Sequence, residues 1–232
     1  MQGTTVFDGD RTAVQVQSDF MRRVFNWMAL GLGATAISAL LVVNTGLVVS
    51  LARHPLSMIL LVAAELGIVV ALSAAIGRIG SGAALFMFFA YAVLTGVTFS
   101  TIFLVYTKGS IAGTFFITGG TFAAMSLYGY TTKRDLTSIG GFLMMGLIGI
   151  IIASVVNIFL KSPAFYWLIT YLGIAVFIGL TAYDTQAIKA MANAGFSGTE
   201  EERKGAIVGA LRLYLDFINL FLLLLRLFGR RD

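Results

Sequence analysis

Apolar residues run through this chain in long blocks, without the polar alternation of a half-buried strand. Seven such stretches follow a polar start, at about 24–50, 56–76, 82–106, 111–130, 139–160, 164–188 and 206–228. Each reaches the roughly 20 residues that an α-helix needs to cross ~30 Å of hydrocarbon. The breaks between them are short and polar: Ala52-Arg53-His54-Pro55, Gly77-Arg78-Ile79-Gly80, Lys108-Gly109-Ser110, Thr131-Thr132-Lys133-Arg134-Asp135 and Lys161-Ser162-Pro163. One longer hydrophilic connection, 190–205, carries Glu200-Glu201-Glu202-Arg203-Lys204. Strands of an outer-membrane barrel are about half as long and alternate in polarity, so a barrel is disfavoured. The pattern predicts an all-α integral membrane protein with a polar N-terminal tail, 1–23, and one seven-helix membrane domain, 24–232. No internal repeat marks an inverted-repeat transporter. The first residues are polar and mixed in charge, with no short apolar core or small-residue cleavage site, so no signal peptide is expected at the start.

Composition sharpens this picture. Charged residues make up 12% of the 232 residues and mean hydropathy is +0.92, where a soluble domain carries roughly twice that charged fraction. The net charge of +5 is scattered between apolar blocks and reads as topology, not as a nucleic-acid patch. Arg11, Arg22, Arg23, Arg78, Lys133, Arg134, Lys189, Arg203 and Lys204 fall on the N-terminal side. Arg53, Lys108, Lys161, Arg226, Arg230 and Arg231 fall on the other. The bias predicts a cytoplasmic N-terminus and a C-terminus on the opposite side. With no cysteine and a single histidine, His54, the chain excludes disulfides, thiol catalysis and multi-histidine metal sites.

The ionisable residues within the apolar blocks carry the candidate chemistry, because a charge at bilayer depth is costly and marks function by default. Asp184 lies near the cytoplasmic end of the sixth block, and Asp216 about ten residues into the seventh, ~15 Å deep. If the two meet, they share a proton, since both cannot easily be charged together. Arg212, four residues before Asp216, can pair with it along one helix face, and Arg78 lies on the same side of the membrane. Glu65 and Arg226 both fall in the outer half and suggest a structural ion pair. Asn157 and Asn219 are available for hydrogen bonds between helices. The glycines read as packing surfaces, since a phosphate cradle needs a strand–loop–helix context that is absent.

Particular stretches resemble a known family. They are Phe20-Met21-Arg22-Arg23-Val24-Phe25-Asn26-Trp27-Met28-Ala29-Leu30, Thr132-Lys133-Arg134-Asp135-Leu136 with GGFLMMGLIGIIIASVVNIFL after it, Ala182-Tyr183-Asp184-Thr185-Gln186, and Leu213-Tyr214-Leu215-Asp216-Phe217-Ile218-Asn219-Leu220-Phe221 with Leu225-Arg226. The chain is similar here to the bacterial branch of the transmembrane Bax inhibitor motif proteins, from about residue 18 to the end. The resemblance implies a seven-helix fold with the C-terminal helix surrounded by the other six, in the bacterial inner membrane. It also implies a pH-sensitive calcium leak, with Asp184 and Asp216 as proton-sensing and ion-conducting pair. Arg78 or Arg212 is the candidate latch, and Glu65–Arg226 a structural pair. Calcium is then the transported ion, held weakly by Asp184 and Asp216, with no tightly bound cofactor; the other partners are protons and the lipid bilayer, with no nucleic acid. Two further readings are an intramembrane aspartyl protease, for which the Gly-x-Gly and Pro-Ala-Leu patterns are missing, and a non-transporting membrane scaffold or regulator. A retinal protein is set aside, because the seventh block has no lysine for a Schiff base.

Overall fold

Each apolar block must satisfy its own backbone hydrogen bonds where water is absent, and the helix is the local way to do so. A computed structural model of the chain describes residues 13–192 and 199–231. It contains eight α-helices among the described residues: α1 (Ala13–Asn44), α2 (Leu47–Arg53), α3 (Pro55–Ala75), α4 (Ser81–Phe99), α5 (Lys108–Thr131), α6 (Thr137–Leu160), α7 (Pro163–Met191) and α8 (Glu200–Phe228). All but α2 are long and apolar enough to cross a membrane, which makes seven candidate spans. Residues 1–12, including Arg11, and the middle of the 190–205 connection lie outside the described residues.

The boundaries differ from the sequence expectation in three places. Helix α1 begins at Ala13, so the second half of the polar tail is already helical. The first apolar block is interrupted at Thr45–Gly46, where Gly46 takes the left-handed conformation (φ 74°) and α2 starts as a separate short helix. Helix α4 ends at Phe99 and tightens into a 3-10 turn, Ser100–Leu104. Elsewhere the ends follow ordinary capping chemistry. The hydroxyls of Thr107, Ser162 and Thr199 accept from the N–H of Ser110, Phe165 and Glu202. Pro55 and Pro163 open α3 and α7, where a missing N–H costs nothing.

Helix α8 is the axis of the bundle. Of its most apolar stretch 72% is buried, against 6% to 33% in the other spans. Helices α1, α4, α5 and α7 pack directly on it, while α3 packs on α4 and α6 on α7, completing the surround at wider spacing. A lipid tail is as apolar as leucine, so helices meet where small side chains let backbones approach. A Cβ added at Gly129 of α5 would lie 2.9 Å from Cα of Ala182 on α7, and one added at Gly96 of α4 would lie 2.7 Å from Cβ of Ser38 on α1. The aromatic rings of Phe88, Tyr91 and Tyr214 lock edge to face at 5.7–5.8 Å between α4 and α8.

The two ends of the bundle are closed differently. At the α8 start, the Glu200 carboxylate accepts from the backbone N–H and, at 2.9 Å, from the hydroxyl of Ser81, capping α4. Arg23 of α1 reaches Glu202 at 3.6 Å. At the other end, residues 229–231 dock on the turn before α5. There Thr107 N–H donates to the Arg230 carbonyl (3.1 Å), and Arg230 N–H donates to the Ser110 hydroxyl (2.8 Å).

Candidate functional site

Antiparallel packing of α7 on α8 brings the two aspartates together. Leu180, Leu220, Leu223 and Leu224 form the apolar layer beside them. With that layer in register, the carboxyl groups of Asp184 and Asp216 come within hydrogen-bonding reach of each other. Asp216 is the only acidic or basic side chain fully buried among the described residues, at 4% exposure. Its Oδ2 has no hydrogen-bond partner. Asp184 is more open, with its side chain 15% exposed, and Arg212 Nη1 stands 3.9 Å from its Oδ1.

This pair lies in a cleft of ≈ 830 Å³ between α3 and α6, floored by α8. Along that floor Arg212, Asp216, Asn219 and Arg226 follow one another at three- to seven-residue spacing, so one face of α8 is polar through the thickness of the bundle. Glu65 of α3 and Tyr91 of α4 line the same cleft. The cleft is otherwise walled by aliphatic residues such as Leu147, Ile151 and Leu222.

The sequence motifs around the pair divide their work by face. Asp184 turns toward α8, while Gln186 turns toward the loop before α6: its Oε1 accepts from Leu136 N–H and its Nε2 donates to the Arg134 carbonyl, both at 2.8 Å. Lys189 donates to the Tyr130 carbonyl at 2.7 Å and lies over that residue's ring. These contacts tie the C-terminal end of α7 to the 130–136 segment, which also holds Asp135. The hydroxyl and backbone N–H of Thr137 keep the Asp135 carboxyl below its usual range. On α8, Tyr214 points to the opposite side from Asp216 and shares a 2.6 Å hydrogen bond with Thr35 of α1. Read from sequence, Lys189 has only a topological meaning, and Gln186, Tyr91 and Tyr214 have no site role. Their only signal was position: Gln186 and Tyr214 fall two residues from an aspartate inside the quoted motifs.

Four expectations are corrected by the geometry. Arg212 does not close on Asp216 along its own helix; its ion pair is with Asp184 across the α7–α8 contact. Both residues line one cleft, but the Asp216 carboxyl is buried against Asp184, so the half-exposed guanidinium meets the more open of the two carboxyl groups. Arg78 is exposed in the turn after α3, outside the cleft, and forms no ion pair among the described residues, so it does not latch either aspartate in this structure. Glu65 and Arg226 line one cleft but form no ion pair among the described residues. Glu65 accepts from the Thr98 hydroxyl, and the Arg226 guanidinium lies 5.5 Å from the ring centre of Tyr166. Asn157 and Asn219 likewise bond locally. Asn157 Oδ1 accepts from Ser162 N–H at 3.0 Å, and Asn219 Nδ2 donates to the Leu215 carbonyl at 2.8 Å.

Comparison with known proteins bears on the whole of this chain. The family model described as "Inhibitor of apoptosis-promoting Bax1" matches residues 17–232. The "Inner membrane protein YbhL" of Escherichia coli K12 is 51% identical over 214 residues, covering 91% of this chain and 92% of that protein. Uncharacterized proteins of Borreliella burgdorferi and Rickettsia prowazekii are 44% and 46% identical, covering 96% and 91% of this chain and 96% and 89% of theirs. The match runs from the α1 helix to the docked C-terminus and includes both aspartates, so the chain belongs to the Bax inhibitor-1 family of membrane proteins.

Proposed function

We propose that this protein is a pH-sensitive calcium leak of the bacterial inner membrane, governed by the Asp184/Asp216 pair. The observation that carries the reading is the contact of two carboxylates in a cleft between apolar, membrane-length helices, one of them buried with an oxygen left unpartnered. With one shared proton, the pair and Arg212 sum to zero charge. Gain or loss of that proton places a net charge in a low-dielectric site, where it weighs far more than in water. The α7–α8 contact is the element such a charge would shift, because repulsion between the carboxylates acts directly across it.

Calcium fits the donor set. It takes oxygen ligands, and two carboxylates with water and backbone carbonyls make a weak site. Weak binding suits a leak, since a tight site would block release. Among the described residues no cluster of three or more acidic or imidazole groups gathers into a tighter one. The cytoplasmic N-terminus and opposite C-terminus follow from the basic residues between spans, and the inner-membrane location from the relative named for it.

The test is calcium uptake into dye-loaded proteoliposomes across pH 6 to 8 (roughly the range of interest for a shared carboxylate proton). Wild type is expected to carry protein-dependent flux with a pH response. Asp184→Asn and Asp216→Asn are expected to remove the response. Flux that keeps its pH response in Asp216→Asn would overturn the sensor, and no flux from folded wild type would overturn the leak.

A further inference from the structure

A second opening lies on the other side of α8 from the aspartates. It is a groove of ≈ 280 Å³ between α1 and α5, lined by Leu32 and Ala36, by Ala112 and Phe116, and at its floor by Phe217 and Phe221 of α8. The lining is almost wholly apolar; its polar members are Thr35 and, at one end, Lys108. Leu40 and Phe116, 47% and 77% exposed, form its membrane-facing rim.

The charge around that end is one-sided. The connections at this face of the bundle, 44–57, 100–111, 157–166 and 226–231, contain Arg53, Lys108, Lys161, Arg226, Arg230 and Arg231 and no Asp or Glu. Asp232 follows, outside the described residues. The docked C-terminus adds cations to this face beside the groove: the backbone of Arg230 bonds to Thr107 and Ser110 on either side of Lys108, and Arg230 lines a separate small opening with Gly109 and Gly113. Arg231 lies 5.9 Å from the ring centre of Tyr106. Lys108 has no acidic partner among the described residues.

We propose that this groove binds one anionic phospholipid, with an acyl chain against α8 and the phosphate held by Lys108 in the acid-free cationic face around it. An apolar slot at membrane depth selects a hydrocarbon chain over a soluble anion. A cluster of cations without acids, at the level where headgroups lie, selects an anionic headgroup over a zwitterionic one. The slot is too small for a partner helix, which is about 10 Å across with its side chains. The floor residue Phe217 follows Asp216 directly, so the lipid would brace the same helix from behind. The proposal does not depend on the calcium reading.

The experiment is native mass spectrometry of the full chain in detergent, titrated with phosphatidylglycerol or with phosphatidylcholine of the same chains. Wild type is expected to retain one phosphatidylglycerol in preference. Lys108→Gln should weaken that retention about fivefold. Ala112→Phe and Ala36→Phe, which fill the slot from opposite walls, should abolish it, whichever of them folds. Lys161→Gln, a cation outside the groove, should behave as wild type. Equal retention of the two lipids, or undiminished phosphatidylglycerol in Lys108→Gln and a folded slot-filling variant, would overturn the proposal. So would displacement of the lipid by glycerol 3-phosphate alone, which would make the site one for soluble anions.

Discussion

Replacing Gly129 by alanine tests whether the α5–α7 contact holds Asp184 in place. The added Cβ would stand 2.9 Å from both the Cα and the carbonyl carbon of Ala182, and closer still to its carbonyl oxygen, where ordinary contact begins at 3.4 Å. The obstacle is backbone, which cannot rotate aside as a side chain can, so α5 and α7 must separate. Overpacking of this kind costs about 1–3 kcal/mol. Ala182 is two residues before Asp184, so the separation also moves that carboxylate relative to Asp216. Gly119 provides the control on the same helix, because nothing lies within 4 Å of a Cβ there. Gly119→Ala should be neutral or slightly stabilising, since alanine is the better helix former by about 1 kcal/mol. Thermal unfolding in detergent, followed by the loss of the monodisperse peak, should show Gly129→Ala clearly below wild type and Gly119→Ala at or above it. In proteoliposomes Gly129→Ala should also shift the pH response of flux. Equal midpoints for the two variants would refute the close helix approach.

Further outcomes follow from single contacts. Tyr214→Phe keeps the ring contacts but loses the hydrogen bond to Thr35, and should lower unfolding stability by about 0.5–1.5 kcal/mol in a denaturant titration. A double-mutant cycle of Glu65→Gln and Arg226→Gln should give additive effects within about 0.5 kcal/mol, because the two side chains bond elsewhere. A larger coupling would restore the outer ion pair. Glu200→Ala should speed amide exchange in the first turn of α4, since it removes the cap on Ser81, and should leave α6 untouched. Arg212→Gln should displace the pH response of flux while leaving a response in place, because the Asp184/Asp216 contact remains; an unchanged curve would show that the Arg212–Asp184 pair plays no part in sensing.

Much of the fold was legible because the bilayer is a strict solvent. The block ends at Arg53–Pro55, Gly77–Gly80 and Lys161–Pro163 coincide with helix ends, since charges, glycines and prolines collect where the hydrocarbon stops. The interruption at Gly46 was missed, because a single glycine inside an apolar run looks like packing material until its φ is known. At the site, Asp184 and Asp216 stood out as carboxylates among apolar neighbours, and the structure brings them into contact. Their partners were not legible. Arg212 is one turn from Asp216 in sequence yet pairs with Asp184, and Arg78, on the expected side of the membrane, stays outside the cleft.

The difference has one physical origin. Sequence alone determined how far along the membrane normal each group lies, because length, hydropathy and 1.5 Å of rise per residue set depth. That was enough for seven spans, for the level of the aspartates and for the cationic far end. Rotation of each helix about its own axis is not set by the bilayer, which presents the same hydrocarbon on every side. It is decided by where backbones approach, as at Gly96 and Gly129, and by which side chains interlock, as Tyr214 does with Phe88 and Thr35. Only the tertiary structure therefore decided that the two aspartates face each other, that Glu65 turns to Thr98, and that α8 has a polar cleft on one side and an apolar groove on the other.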